Sequence, residues 1–284
     1  SNQRQLFLDR HVIDDAWGCR RRVHQPEKYA GNPVLPGLPQ FAKVHFGSSF
    51  LYEPEEKRFR LWACSWNTAR REEDLGIFHA YYESEDLVHW KAPVLGLVDY
   101  DGSKANNVMN AGKGVEYHGL SVFKAPPRLR SRGKYGMCYL HITQPPRPGT
   151  THGMEVRIAW SEDGYRWKDQ PENPVIRGRS DTFNNVVYNA GRDVFMMYRR
   201  PSVNANQIRR VAYSESRDLI TWTQPQTILV PDEADTASMF YSMAVVPYHG
   251  IYLGFLQNFY LYADDPNRAG NMRNGPKSHQ LDLE

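Results

Sequence analysis

Short apolar runs alternate with polar turn clusters along the whole chain, and no stretch sustains a helical apolar period. Arg58-Phe59-Arg60-Leu61-Trp62, Val156-Arg157-Ile158-Ala159-Trp160, Arg210-Val211-Ala212-Tyr213 and Ile251-Tyr252-Leu253-Gly254-Phe255-Leu256 have the length and residue types of strands. Turn residues close the gaps between adjacent runs: Glu53-Pro54-Glu55-Glu56, Asn189-Ala190-Gly191-Arg192 and His249-Gly250. The pattern predicts an all-β chain.

One segment recurs. Ser84-Glu85-Asp86-Leu87-Val88-His89-Trp90, Ser161-Glu162-Asp163-Gly164-Tyr165-Arg166-Trp167 and Ser216-Arg217-Asp218-Leu219-Ile220-Thr221-Trp222 share Ser, Asp and Trp at identical internal spacing. Each follows a strand-like run and reads as a hairpin. Ser and Asp bond the turn backbone, Gly164 tolerates a positive φ, and the Trp packs in the returning strand. Candidate opening strands are Val44–Tyr52, Asn106–Met109, Phe183–Tyr188 and Phe240–Val246, and Asn32-Pro33-Val34-Leu35 and Asn173-Pro174-Val175-Ile176 each precede a new unit. Repeated four-stranded units predict a β-propeller. A sandwich is the rival, but it leaves the repeat unexplained. The expected blades span about 40–95, 100–172, 176–228 and 235–284 of a single domain.

Composition narrows the function. In 284 residues, 35 basic against 32 acidic side chains give +3, which argues against an electrostatically driven nucleic-acid binder. The cluster Arg128-Leu129-Arg130-Ser131-Arg132 is short and isolated and reads as an exposed loop. No apolar run is long enough for a membrane helix, and no leader pattern opens the sequence. Cys19, Cys64 and Cys138 are widely spaced and form no metal knuckle; free thiols are the expectation. Phosphate loops, dinucleotide fingerprints and nucleophile elbows are absent, and no cofactor is expected.

Several segments carry a family resemblance: Phe7-Leu8-Asp9, Asn32-Pro33-Val34-Leu35, Phe59-Arg60-Leu61-Trp62, Trp90–Leu97, Gly102-Ser103 with Asn106-Asn107, Asp181-Thr182 with Asn184, Tyr198-Arg199 and the three hairpins. Over most of its length the chain resembles the five-bladed β-propeller glycoside hydrolases, the arabinanase, invertase and levansucrase superfamily of families 43, 32, 117 and 130. Within it the chain looks most like bacterial family-32-like N-terminal domains. The resemblance implies a carbohydrate substrate in the central funnel, acid/base chemistry by carboxylates on innermost strands, and a periplasmic or secreted location rather than a cytoplasmic one. It also implies a fifth blade. The last unit lacks its hairpin and Leu281-Asp282-Leu283-Glu284 reads like the start of a further strand, so a propeller incomplete at the C-terminus is expected.

Glycoside hydrolysis requires two carboxyl groups about the scissile bond. Asp181, ahead of the third opening strand, is the first candidate, as general base or transition-state stabiliser; its plain alternative is a turn cap. Asp232, Glu233 and Asp235 precede the fourth, and Asp235 is the candidate acid, against a solvated acidic loop. The first blade has no carboxylate in Phe41–Gly47, which leaves His45 as its one titratable group, catalytic or structural. Asn107 and Asn184 are candidates for sugar hydroxyls, and Asp99 and Asp101 for the rim. Arg199, with Arg200, suits a uronate, sulfate or phosphate, or an ion pair. Trp66 and Tyr241, with Trp62, Tyr198 and Tyr260, are candidate stacking platforms or core. Glu155 with His141 and His152 is too loosely spaced for a metal motif. The missing first carboxylate keeps two other readings open: a non-catalytic carbohydrate-binding propeller and a phosphate-dependent phosphorylase.

Overall fold

The computed structural model describes residues 13–20, 22, 24–35, 44–45, 49–66, 77–100, 102–111, 116–142, 154–177, 180–181, 183–201, 209–233, 235, 239–261 and 279–283. Among them, eighteen strands and one 3-10 turn, Pro127–Arg132, build four antiparallel sheets. Sheet 1 holds β1 (Val44–His45), β2 (Ser49–Glu53), β3 (Arg58–Trp66), β4 (Ile77–Ser84), β5 (Trp90–Lys91) and β6 (Val108–Ala111). Sheet 2 holds β7 (Glu116–Lys124), β8 (Tyr135–Ile142), β9 (Met154–Ser161), β10 (Lys168–Asp169) and β11 (Ile176–Arg177). Sheet 3 holds β12 (Asn185–Asn189), β13 (Val194–Arg199), β14 (Val211–Ser216) and β15 (Gln226–Leu229). Sheet 4 holds β16 (Met239–Tyr248), β17 (Ile251–Leu261) and β18 (His279–Leu283).

Each sheet is one blade, with its chain-order-first strand innermost. In sheet 1 the innermost strand is split, since β1 and β2 both pair with β3. The outermost strand is split too: β5 and β6 both pair with β4, as β10 and β11 both pair with β9. This corrects the expected start of the second blade. Asn106–Met109 does not open a new sheet; it returns to the first, and the second opens at Glu116. Two asparagines hold the returning segments. The Asn107 side chain donates to the Tyr81 carbonyl at 2.8 Å while the Asn107 main-chain carbonyl accepts the Tyr81 N–H at 3.0 Å. Asn173 bonds both backbone groups of Ile158, at 2.9 and 2.7 Å. Tyr81 and Ile158 stand at the same position, three residues ahead of the hairpin serine, so an asparagine anchors each return at a matching point, with a main-chain oxygen accepting the N–H in the first and a side-chain oxygen in the second.

The recurrent hairpin has one hydrogen-bond plan. The Ser84, Ser161 and Ser216 hydroxyls accept the N–H of Leu87, Gly164 and Leu219 at 3.0, 2.8 and 2.9 Å. One carboxylate oxygen of Asp86, Asp163 or Asp218 then accepts the next two backbone N–H groups, at 2.7 to 2.9 Å. The residue between them takes φ +67 at Leu87, +86 at Gly164 and +62 at Leu219. Gly was expected to mark the left-handed position in one copy; in the other two a leucine adopts it, at a steric cost of the order of 1 kcal/mol. At Leu219 the return is burial: the side chain is fully enclosed in the core between sheets 2 and 3.

A second repeated device runs around the axis. The Ser49 hydroxyl on β2 accepts the Val122 N–H of β7 at 3.0 Å. Ser121 on β7 accepts the Val186 N–H of β12 at 2.8 Å, and Asn185 Oδ1 on β12 accepts the Val245 N–H of β16 at 2.8 Å. Ser49, Ser121 and Asn185 occupy one register position, opposite Trp62, Cys138 and Tyr198. Each innermost strand therefore satisfies a backbone donor of the next, which would otherwise be orphaned at the axis. The same position in sheet 4 is Ala244, which has no acceptor to offer.

The cores lie between blades. Trp62, Tyr81, Leu120, Tyr135 and Tyr139 fill the space between sheets 1 and 2. Phe123, Cys138, Ile158, Phe195, Met197 and Leu219 fill that between sheets 2 and 3, and Val187, Met196 and Val245 that between 3 and 4. Trp62 also ties the second hairpin to the first blade: its Nε1–H donates to the Gly164 carbonyl at 2.7 Å, while Arg60 donates to the Asp163 carbonyl at 2.9 Å. On the face of sheet 4 away from Val245, Val246, Ile251 and Phe255 are exposed. All three cysteines are free; Cys19 is exposed and the other two are buried. Among the described residues no helix is long and apolar enough to cross a membrane.

Candidate functional site

The two ends of the axis are built differently. One end carries the hairpins and the tight turns after the innermost strands. At the other end innermost strands begin and second strands finish, and there β12, β13, β14 and β16 bring Asp181, Asn184, Arg200, Arg209 and Tyr241 into one corner.

Asp181 stands four residues ahead of β12 on a loop fixed by Asn184. Asn184 is buried; its Oδ1 accepts the Ser180 hydroxyl, and its Nδ2 donates to the Asp181 carbonyl at 3.4 Å. The Asp181 side chain is about a third exposed, and its Oδ2 accepts Arg200 Nη1 at 2.5 Å. Arg200 is fully enclosed: Nε donates to the Tyr241 carbonyl at 3.1 Å, the guanidinium stands 4.4 Å from the centre of the Tyr241 ring, and Nη2 is buried with no partner. Arg209 lies over the Phe259 ring at 4.2 Å and 5.4 Å from Tyr241. Burial, and then the neighbouring Arg200 charge, lower the Arg209 pKa. Tyr241 and Phe259 stack at 5.8 Å, so the Tyr241 ring is occupied by protein groups.

Arg199 points to the other side of the same strand end. It is buried close to Cys138, and its hydrogen bond runs from Nε to the Arg200 carbonyl at 3.3 Å. Burial, unmatched by any carboxylate among the described residues, lowers its pKa to about 10. Sequence reasoning overlooked Arg209 and Arg210. The available signal was two arginine doublets, 199–200 and 209–210, flanking one interstrand connection.

The remaining candidates lie elsewhere. Asn107 is buried in the outer part of sheet 1 with its side chain on Tyr81, so it is a strand tie rather than a group facing the axis. Asp235 is exposed and stands four residues ahead of β16; its Oδ2 accepts the Asp232 N–H at 2.8 Å, closing a small turn. His45 belongs to β1 beside Ser65, and Trp66 ends β3; both side chains lie outside the described residues, as do Asp101, His152 and the Tyr260 side chain. Trp62 is core, Tyr198 packs on Tyr213, and Asp99 is exposed. Glu155 is fully buried at the start of β9, where Arg157 Nη2 donates to it at 2.9 Å and His141 Nδ1 stands 3.9 Å away. A cavity of about 260 Å³ lies between sheets 1 and 2, lined in part by His79, Asn110, Tyr139, Trp167 and Asp169, and Arg157 is linked to it through Asp169, to which its Nη1 donates at 3.1 Å.

Four antiparallel blades arranged about one axis define a β-propeller. Solved structures bear out the fold. The chain is similar to an N-acetylgalactosamine deacetylase from F. plautii solved with blood group B trisaccharide, at TM-score 0.56 and 13% identity over 89% of this chain and 74% of that one. It is similar to a family 32 β-fructofuranosidase from Bombyx mori, at TM-score 0.52 and 13% identity over 84% and 44%. It also matches a glycoside hydrolase at TM-score 0.50 and 16% identity over 81% of this chain, and spans 63% of the length of that protein. No family model matches the sequence, and no curated protein matches it significantly.

Proposed function

We propose that the chain is a glycoside hydrolase acting at the axial mouth, with Asp181 as the fixed carboxylate beside the reacting bond. The observation that carries this reading is the Asp181–Arg200 pair, held at the head of an innermost strand with the carboxylate about a third exposed. A carboxylate anchored in that way presents constant negative charge to an oxocarbenium-like transition state without reorganising during the reaction. Two positions can supply the second carboxylate. Asp235 precedes β16 as Asp181 precedes β12, and Glu116 is the first residue of β7, which becomes an innermost strand once the second blade is drawn correctly.

The test is reducing-sugar release from a panel of polysaccharides and aryl glycosides, with and without phosphate. The wild type is compared with Asp181→Asn, Asp235→Asn and Glu116→Gln. Loss of a transition-state carboxylate is expected to lower kcat by about two orders of magnitude or more. Full activity of Asp181→Asn removes that residue from the chemistry. The second reading, sugar binding without turnover, is favoured by one observation: the Asp181 Oδ2 and the Asp235 Oδ2 both already accept a hydrogen bond within the protein. Binding without bond cleavage across the panel would establish it.

A further inference from the structure

The cavity of about 260 Å³ between sheets 1 and 2 lies off the axis. Its walls come from β4, β6, β8, β9, β10 and the second hairpin, and none of its lining residues belongs to an innermost strand. It is separate from the Asp181 corner, which sheets 3 and 4 build. Leu97, Met109, Met137 and Trp167 give it apolar wall; Asn110 and Asp169 give it polar wall. The Asp169 carboxylate is held from two sides: the Tyr139 hydroxyl donates to Oδ1 at 2.6 Å, and Arg157 Nη1 donates to Oδ2 at 3.1 Å. A carboxylate has about four lone-pair sites, so each oxygen can accept again, and the side chain is 45% exposed. Asn110, half-buried on β6 opposite His79, makes no side-chain hydrogen bond among the described residues. The Asp and Arg charges at the wall are already matched, Asp169 by Arg157 and Arg166 by Asp163 at 2.8 Å.

We propose that this cavity binds one neutral sugar ring, a single pyranose unit, at a site distinct from the axial mouth. The inference goes beyond the hydrolase reading: it concerns another gap between blades and requires no bond cleavage. Matched charges give the cavity no preference for an ion, so its ligand is neutral. A wall that is apolar on one side and polar on the other selects a ring of the same kind. The C–H surface of a pyranose meets Trp167, Met109 and Met137, and its hydroxyls meet Asp169 and Asn110. A carboxylate already fixed by two donors accepts hydroxyl hydrogens in charge-assisted bonds without first being ordered. The Asn110 amide offers a donor and an acceptor together, as a hydroxyl does in return. The volume falls below the roughly 300–1,000 Å³ of pockets for drug-sized ligands, which fits one ring rather than an oligosaccharide.

The test is NMR titration of the isotope-labelled full chain with glucose, galactose, mannose and xylose, and with cyclohexanol as a ring that lacks most of the hydroxyls. The Trp167 indole N–H resonance, assigned by its loss from Trp167→Phe, is the local reporter. At least one of the sugars is expected to shift it saturably. Asp169→Asn is expected to weaken that binding at least about tenfold, and Asn110→Leu at least about fivefold, with the fold of each variant checked by circular dichroism. The shift is expected to persist in Asp181→Asn. The absence of a saturable Trp167 shift with every one of these sugars overturns the proposal. Cyclohexanol binding as tightly as the best sugar also overturns it, because the cavity then selects apolar surface alone. A shift lost in Asp181→Asn but kept in Asn110→Leu overturns it as well, places the sugar at the axial mouth and leaves the hydrolase reading intact.

Discussion

Three tryptophans that look equivalent in composition sit in different hydrogen-bond environments, and replacing each by Phe separates them. Trp62 is fully buried between sheets 1 and 2, and its Nε1–H is the donor to the Gly164 carbonyl at 2.7 Å. Trp62→Phe leaves that carbonyl without its donor in a buried setting, which costs about 1–3 kcal/mol. The smaller ring also removes three heavy atoms from contact with Tyr81 and Tyr135, whose ring centres lie 5.9 and 5.8 Å away, and the void adds about 1 kcal/mol. The expected loss is therefore about 3 kcal/mol, or a fall of about 1 M in the urea midpoint for a domain with a slope of about 3 kcal/mol/M. Trp167 and Trp222 each bury an Nε1–H that has no acceptor. There the Phe substitution removes an unsatisfied donor as well as some apolar area, and the two contributions offset to within about 1 kcal/mol. Urea unfolding followed by circular dichroism reads all three variants against the wild type. Equal losses at the three positions would refute the reasoning, because the apolar area of the ring and not its N–H would then decide stability.

The hairpin carboxylates make stability acid-sensitive. Burial pushes Asp163 and Asp218 up, but the backbone N–H groups that each accepts outweigh it and hold both below the ordinary carboxylate range. Their contribution is complete above the ordinary value of about 3.9 and is lost as pH falls through the lowered folded values, so the thermal midpoint should drop below about pH 4 and drop less steeply in Asp163→Asn. At the axis, Ser121→Ala strips the acceptor from the buried Val186 N–H and is expected to cost about 2 kcal/mol in urea unfolding, whereas Ala244→Ser should change little. Thiol labelling with a chromogenic disulfide should modify Cys19 alone in the native chain and all three cysteines in denaturant, since burial pushes Cys64 up to about 11 and Cys138 higher still. Fast labelling of three thiols in the native chain would contradict the buried placement of the latter two.

What the sequence reveals of this fold divides along the range of the interactions. The Ser-x-Asp turns were legible because every bond that defines them lies within a few residues, and the same atoms recur in all three copies. The return of residues 106–111 to sheet 1 was not, because Asn107 acts on Tyr81, 26 residues back. A local reading sees an apolar run after a turn and starts a new blade there. That error hid Glu116, which becomes the head of an innermost strand only when the pairing of β6 with β4 is known. Ser49, Ser121 and Asn185 share a role that no local spacing betrays, since each acts on the neighbouring blade.

The site was legible in part for the same reason. Asp181, Asn184 and Arg200 lie on two segments that flank one hairpin, and sequence proximity to strand ends was enough to place them. Tyr241 was read as a sugar platform from its type, yet its ring lies against Arg200 and Phe259, and its backbone carbonyl anchors the arginine. Its contribution is to hold a buried cation in place. This follows from how the blades divide the work. At the hairpin end, Ser and Asp satisfy the backbone within each copy, so turn geometry repeats and chemistry is fixed. At the mouth, second strands end and innermost strands begin with side chains that differ between blades: Tyr139 and Leu140 follow Cys138 in β8 where Arg199 and Arg200 follow the equivalent Tyr198 of the third blade. Identical scaffolding at one end thus frees the other to vary, and the third blade is where that variation has gathered arginine beside a single anchored carboxylate. A change in a hairpin Asp should accordingly lower the urea midpoint without altering the side chains gathered at the mouth.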